Sequence, residues 1–194
     1  MEHYFSATPD SKELTKEVTL TLRGETFSFL VVSGTFSSKK IDKGTLILAK
    51  SMLLRRTWTM LDVGCGVGVL GVIAGKFCKN VYLSDINERA VAYAVLNLKL
   101  NHIKGVVKHG AFYELFNKKF DSILLNPPQS AGKLICFKLI EDAKKHLKKK
   151  GCLQLVARRN KGGNTLEKKM KEVFGNVDVT AKESGYWVYV SKVL

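Results

Sequence analysis

Two stretches of the chain carry residue types and spacings that could do chemistry. The first is Leu61-Asp62-Val63-Gly64-Cys65-Gly66-Val67-Gly68. It follows an apolar run and opens a helical pattern, where glycines let the backbone approach a ligand closely and present its amides. Asp85 stands 23 residues after Asp62, at the end of the next apolar run. An acid there can accept hydrogen bonds from both hydroxyls of a ribose. Gly66 to Gly71 also reads G-x-G-x-x-G, with Asp85 19 residues after Gly66. A nicotinamide or flavin dinucleotide site shares that pattern. Asp62 tilts the choice, because an acid just before the glycines repels a pyrophosphate and suits an ammonium group. S-adenosylmethionine has an ammonium group, a ribose and no phosphate.

The second stretch is Asn126-Pro127-Pro128-Gln129, 41 residues after Asp85. Two prolines fix φ and remove two N–H donors, so the turn exposes acceptors. The Asn126 side-chain oxygen and the Pro127 carbonyl could both accept from a single NH2 group. An amide or exocyclic NH2 is a poor nucleophile because its lone pair is delocalised. Two acceptors on its hydrogens draw the nitrogen toward tetrahedral geometry and aim the lone pair. Positioning and electrostatics then supply the catalysis, with no metal and no cysteine nucleophile. The plain structural alternative is an Asn-Pro turn that merely ends a strand.

The elements that must position these residues are legible in the pattern. Residues 18–22 and 27–32 flank Arg23-Gly24-Glu25 and predict a β-hairpin. A helix is expected over about 45–54. From Trp58 the pattern alternates strand and helix: strands at 58–63, 81–84, 106–107, 120–125 and 152–157, and helices at 69–77, from Asn87, at 134–147 and at 166–174. Asn87 is positioned to cap its helix. Residues 177–180 and 186–190 close as a hairpin, so the last strand runs antiparallel to the rest. Alternating strands and helices imply an α/β fold, a mostly parallel sheet with helices on both faces. The boundaries expected are an appendage over residues 1–55 and a cofactor-binding domain over 56–194.

Composition sets the wider frame. The chain has 194 residues, 45% hydrophobic and 25% charged, which is globular and excludes a disordered or collagenous chain. No apolar run is long enough to span a membrane, and residues 1–10 lack a signal-peptide pattern, so a cytoplasmic protein is expected. Cys65, Cys78, Cys136 and Cys152 have neither C-x-x-C spacing nor nearby histidines, so no metal site is expected. Net charge is +15, and residues 131–194 alone contribute +9. Such a surface attracts phosphate polymers, although a lysine-rich solubilising surface has the same composition.

At this point the sequence resembles a family. It is similar to the class I S-adenosylmethionine-dependent methyltransferases, specifically the small-methyltransferase domain of the RsmC-like ribosomal RNA guanine-N2 methyltransferases and their archaeal single-domain relatives. The matching segments are Ser33-Gly34-Thr35-Phe36-Ser37, Asp42-Lys43-Gly44-Thr45, Leu61 to Gly68, Ser84-Asp85-Ile86-Asn87, Asn126-Pro127-Pro128 with Ala131-Gly132-Lys133, and Phe174-Gly175-Asn176-Val177. The resemblance implies a Rossmann-like seven-stranded sheet with its last strand reversed, plus the small N-terminal hairpin. It implies S-adenosylmethionine as cofactor. Asp62, Gly64, Cys65, Gly66 and Gly68 would line its methionine part, Asp85 would hold the ribose, and Ile86 would pack on adenine. Ala111 and Phe112 would follow the third strand, and Thr45 would cover the cofactor with Asp42. Asn126, Pro127, Pro128 and Gln129 would form the catalytic turn. Two positions depart from the pattern. Ala111 stands where members usually carry an acid for the adenine amino group. Gln129 stands where many amino methyltransferases carry an aromatic that stacks on the target base.

The expected acceptor is RNA, with guanine N2 of ribosomal RNA foremost. Lys39, Lys40, Lys133, Arg158, Arg159 and Lys161 are the candidates for RNA contact. Three alternatives share the motifs: a glutamine amide of a protein or adenine in a nucleic acid as acceptor, a non-catalytic RNA-binding relative, and a nicotinamide-dependent oxidoreductase. The closing hairpin and the absence of an acid/base pair argue against the last.

Overall fold

A computed structural model describes residues 13–35, 40–110, 113, 115–128 and 132–194. Lys39, Ala111, Phe112 and Gln129 lie outside the described residues, as do Phe36, Ser37 and Ala131 of the matching segments.

Two strands, β1 (Thr15–Leu22) and β2 (Glu25–Val32), form the expected hairpin, turning at Arg23 and Gly24. Then follow α1 (Lys43–Ser51), β3 (Thr59–Val63), α2 (Val69–Phe77), β4 (Asn80–Asp85), α3 (Glu88–Leu100), β5 (Gly105–His109), β6 (Phe120–Leu125), α4 (Lys133–His146), β7 (Leu147–Arg158), α5 (Asn164–Phe174), β8 (Asp178–Glu183) and β9 (Tyr186–Lys192). The last seven strands make one sheet, ordered β5-β4-β3-β6-β7-β9-β8. β9 is antiparallel to both neighbours, while the first five strands of that order run parallel. The chain starts the sheet at β3 and builds outward in both directions. The β3/β6 boundary is therefore the switch point, where loops at the carboxyl ends diverge and leave a crevice.

Each face of the sheet has its own core. One joins Phe27, Phe29 and Val31 of β2 to Leu48 of α1, Ile73 of α2 and Leu98 of α3. The other joins Ile123, Leu125, Leu153 and Leu155 to Leu139 and Ile140 of α4 and Met170 of α5. The hairpin thus covers the α2–α3 side. Its second strand would otherwise leave unpaired backbone groups facing α3. Asn97 and Asn101, one helical turn apart, answer them. Asn97 accepts from Leu30 N at 2.7 Å and donates to Leu30 O at 3.0 Å. Asn101 does the same for Ser28 at 3.0 and 2.7 Å. Asn97 also donates to Val67 O at 2.8 Å, tying the hairpin to the glycine loop.

Two of the elements that differ from the periodicity bear on the site and its charged surroundings. α1 begins two residues earlier and ends three residues sooner than the 45–54 expected. Asp42 caps its start, and the Arg23 guanidinium takes the carbonyls of Ala49, Lys50 and Met52 at its end. β7 is longer than 152–157 because it begins at Leu147 and then bulges, with Lys150 at φ 63°. Lys148 to Lys150 therefore belong to the strand's entry and not to a helix end. No helix among the described residues is long and apolar enough to cross a membrane.

Candidate active site

The glycine loop leaves β3 and must turn sharply into α2. Gly64 and Gly66 adopt φ 65° and 55°, where an L side chain is strained. A Cβ at either position would meet no atom within 4 Å, so both glycines border open space. Gly68 is different. It caps α2 at φ 87°, and a Cβ there would meet Ala94 Cβ and Leu83 Cδ2, both at 3.1 Å. Gly68 serves close packing behind the loop. Gly71, a turn further, would place a Cβ 2.5 Å from Leu83 Cδ2, so α2 sits against β4 only without a side chain there.

Two buried carboxylates end adjacent strands. Asp62 Oδ2 accepts from Gly71 N at 2.9 Å. Its exposure is 3%, and burial pushes its carboxyl up to about 7, against the Gly71 bond and with the Asp85 charge adding. Asp85 Oδ2 accepts from Gly66 N at 2.7 Å and Oδ1 from Asn87 N at 2.9 Å. Burial raises the Asp85 carboxyl too, against those backbone bonds, that of Ile86 and the nearby His109. Each of its oxygens keeps a further lone pair for a ligand. Cys65 lies between the two acids, and burial with both charges drives its thiol well above the ordinary value. It is a thiol and not a nucleophile. Ile86 is half-buried, and its carbonyl meets His109 Nε2 at 2.9 Å.

β6 ends beside β3, with Leu125 in register with Val63. This brings Asn126 to the same crevice. Asn126 Nδ2 donates to Thr45 Oγ1 at 3.0 Å and to Asp42 Oδ1 at 3.3 Å. One pocket is accordingly lined by Asp42, Thr45, Asp62, Gly64, Cys65, Gly66 and Asn126, with Val31 and Ile41 supplying apolar wall. Val31 brings the hairpin to the site, a contribution that sequence reading missed because only the packing of β2 on α3 aims it there. Pro127 is buried and Pro128 half-buried beside it.

These residues fit S-adenosylmethionine on grounds internal to the site. Asp62 and Asp85 are buried acids with no Lys or Arg among the causes that set their charge state. Buried charge without a partner is costly, so a cationic ligand is favoured there and a pyrophosphate disfavoured. Asp62 lines the pocket, and Asp85, at the end of the adjacent strand, keeps acceptor capacity beyond its bonds to Gly66 N and Asn87 N. Replacing Asp85 with Ala should raise the Kd for S-adenosylhomocysteine about 30-fold or more in calorimetry, because two charge-assisted bonds and the Gly66 anchor go together. Wild-type affinity would remove Asp85 from the ribose role.

The basic candidates divide. Lys40, Lys133, Arg158 and Lys161 are exposed. Arg158 ends β7 at the same carboxyl end of the sheet as Asn126, with its guanidinium 5.4 Å from the Tyr186 ring. Arg159 is held by Glu167 and the Tyr189 hydroxyl and lies 4.0 Å over the Trp187 ring. Its charge is engaged within the protein.

Comparison with known proteins shows the family of the chain. Residues 26–190 match the methyltransferase small domain family. YbxB, an uncharacterized protein of Bacillus subtilis, is 34% identical, with 98% of each chain covered. Ribosomal RNA small subunit methyltransferase C of Photorhabdus laumondii is 34% identical over 80% of this chain. The chain spans about half the length of that relative (47%). In structure, the Thermus thermophilus 16S rRNA N2 G1207 methyltransferase (RsmC), solved with AdoMet and guanosine, superposes with a TM-score of 0.83 at 22% identity, covering 96% of this chain and 52% of that one. The chain belongs to the methyltransferase small domain family and is an S-adenosylmethionine-dependent methyltransferase.

Proposed function

We propose that the chain methylates an exocyclic amine of RNA in the cytoplasm, with guanine N2 of ribosomal RNA as the acceptor. The observation that carries this reading is the placement of Asn126, the residue before Pro127, on the wall of the pocket that Asp62, Gly64 and Gly66 also line. The bound cofactor supplies an electrophilic methyl group on a sulfonium. The protein's part is to hold and orient. Asn126 Oδ1 and the Pro127 carbonyl accept the two N–H bonds of the acceptor, which turns the nitrogen lone pair toward the methyl. Held by Asn126 and Pro127, the acceptor nitrogen would take the methyl as the C–S bonding pair stays with the cofactor, and would then shed one N–H proton to water. The rigid Pro127-Pro128 turn means these acceptors need not reorganise during the reaction. A guanine inside a duplex would have to be flipped out to reach them.

Relatives named ribosomal RNA small subunit methyltransferase C favour RNA over the other amine acceptors. Exposed Arg158 and Lys161, at and just after the carboxyl end of β7, with a net charge of +15, suit a phosphate backbone. Labelled S-adenosylmethionine should mark unmodified small-subunit ribosomal RNA, and nucleoside mass analysis should show N2-methylguanosine. Binding should weaken steeply with salt. Label in a protein glutamine or in adenine, with the RNA guanines unmarked, would replace the acceptor.

A further inference from the structure

Asn126 sets the two ends of one amide in different surroundings. Its Nδ2 donates to Thr45 Oγ1 at 3.0 Å and Asp42 Oδ1 at 3.3 Å. No described residue donates to its Oδ1. The two ends of an amide are alike in shape, so neighbours decide which way it points. Thr45 decides nothing, because a hydroxyl donates as readily as it accepts. Asp42 does decide. A carboxylate only accepts, and the flipped amide would set oxygen against carboxylate oxygen.

Asp42 is itself anchored. It caps α1 from extended backbone angles, φ −70° and ψ 156°, and its Oδ1 also accepts from Thr45 N at 3.0 Å. The helix start thereby places the carboxylate behind Asn126. A bond to a charged acceptor also polarises the amide and strengthens the opposite oxygen as an acceptor.

We propose that Asp42 is a positioning residue: it holds the Asn126 amide with its oxygen toward the acceptor, and so restricts the site to acceptors that bring an NH2. This rests on the reading of Asn126 given above. A carbonyl or ether oxygen has no hydrogen to give, and the Asn126 end that could serve it is turned away.

Three variants test this. Asp42→Ser keeps a good helix cap and so keeps α1 in place, but a serine hydroxyl is shorter and can donate. Its kcat on unmodified small-subunit ribosomal RNA, measured at saturating S-adenosylmethionine, should fall about tenfold or more. Asp42→Asn keeps both cap and reach and should recover part of the loss. Thr45→Val should cost less than Asp42→Ser. An independent readout needs no acceptor at all. In the cofactor-free protein, the Asn126 side-chain NH2 resonances, assigned by their loss in Asn126→Ala, should show slowed solvent exchange that Asp42→Ser abolishes and Thr45→Val retains. Wild-type exchange and wild-type kcat in Asp42→Ser would overturn the proposal. Wild-type protein that marks no RNA, yet shows the protected amide released by Asp42→Ser, would count against the RNA acceptor and for the orientation.

Discussion

Asn126→Ala should lower methyl transfer by about 10²–10³-fold and leave cofactor affinity within a few-fold of wild type. The magnitude is that of removing one preorganised acceptor from a site where charge develops on the partner atom. The acceptor amine would keep only the Pro127 carbonyl, so its lone pair would no longer be aimed. Folding should suffer little. Asn126 is half-buried, and Thr45 N still satisfies Asp42 when the amide is gone. Single-turnover transfer with saturating S-adenosylmethionine, beside calorimetry with S-adenosylhomocysteine, separates chemistry from binding. Wild-type turnover would remove Asn126 from the mechanism. A loss of cofactor binding equal to the loss of transfer would make it a cofactor residue instead. Asn126→Asp is informative beside it. It keeps an acceptor oxygen but sets a second carboxylate within about 3.3 Å of Asp42, so the pair repels unless one is protonated, and activity should return only toward acid pH.

Asp62→Asn should make the cofactor-free protein more stable at pH 8 and a poorer binder of its cofactor. The Asp62 carboxyl is raised from 3.8 to about 7 by burial. A carboxyl raised on folding stabilises the folded state fully only below its unfolded value, and that contribution is lost as pH rises through the folded one. Across the window from pH 4 to 7 the loss is on the order of 4 kcal/mol at 1.36 kcal/mol per pKa unit. Asparagine keeps the shape and an oxygen for Gly71 N, but carries no charge. Its Tm at pH 8 should exceed wild type by roughly 10 °C, and the gap should close toward pH 4. A gap independent of pH would refute the charge as its cause.

The same charge works in the opposite sense with ligand present. An ammonium group beside Asp62 favours the ionised form, so wild-type affinity should rise about tenfold as pH goes from 6 to 7.5, with a proton released on binding. Asp62→Asn should bind S-adenosylhomocysteine about 10–100-fold more weakly at pH 8 and lose that pH dependence. The folded state thus holds a buried acid at a cost that a bound ammonium group would offset.

Much of this protein was legible before its tertiary structure. The glycine loop, Asp85 and Asn126-Pro127-Pro128 are local signals: each names a backbone conformation or a chemistry through residue type, and each stands at a strand end that hydrophobic periodicity locates. The reversed last strand followed from the turn before Tyr186, because a short connection between strands can only be antiparallel. Other facts waited for the fold. The early start of α1 depended on Asp42 meeting Thr45 N, and its early end on Arg23, which lies 26 or more positions away from the carbonyls it takes. Arg159, a candidate for RNA contact by residue type and position, is paired with Glu167 and lies over Trp187 only because the fold brings them to it.

The sequence by itself determined which atoms are available for the reaction and which strands carry them. Only the tertiary structure decided how those atoms face one another. Asp42 and Asn126 are 84 positions apart, and Val31 reaches the pocket through Asn97 of α3 and Asn101 just past its end, which hold its strand. Residue type and spacing encode local conformation, whereas the orientation of an amide and the charge of a buried acid depend on neighbours that only chain packing brings near.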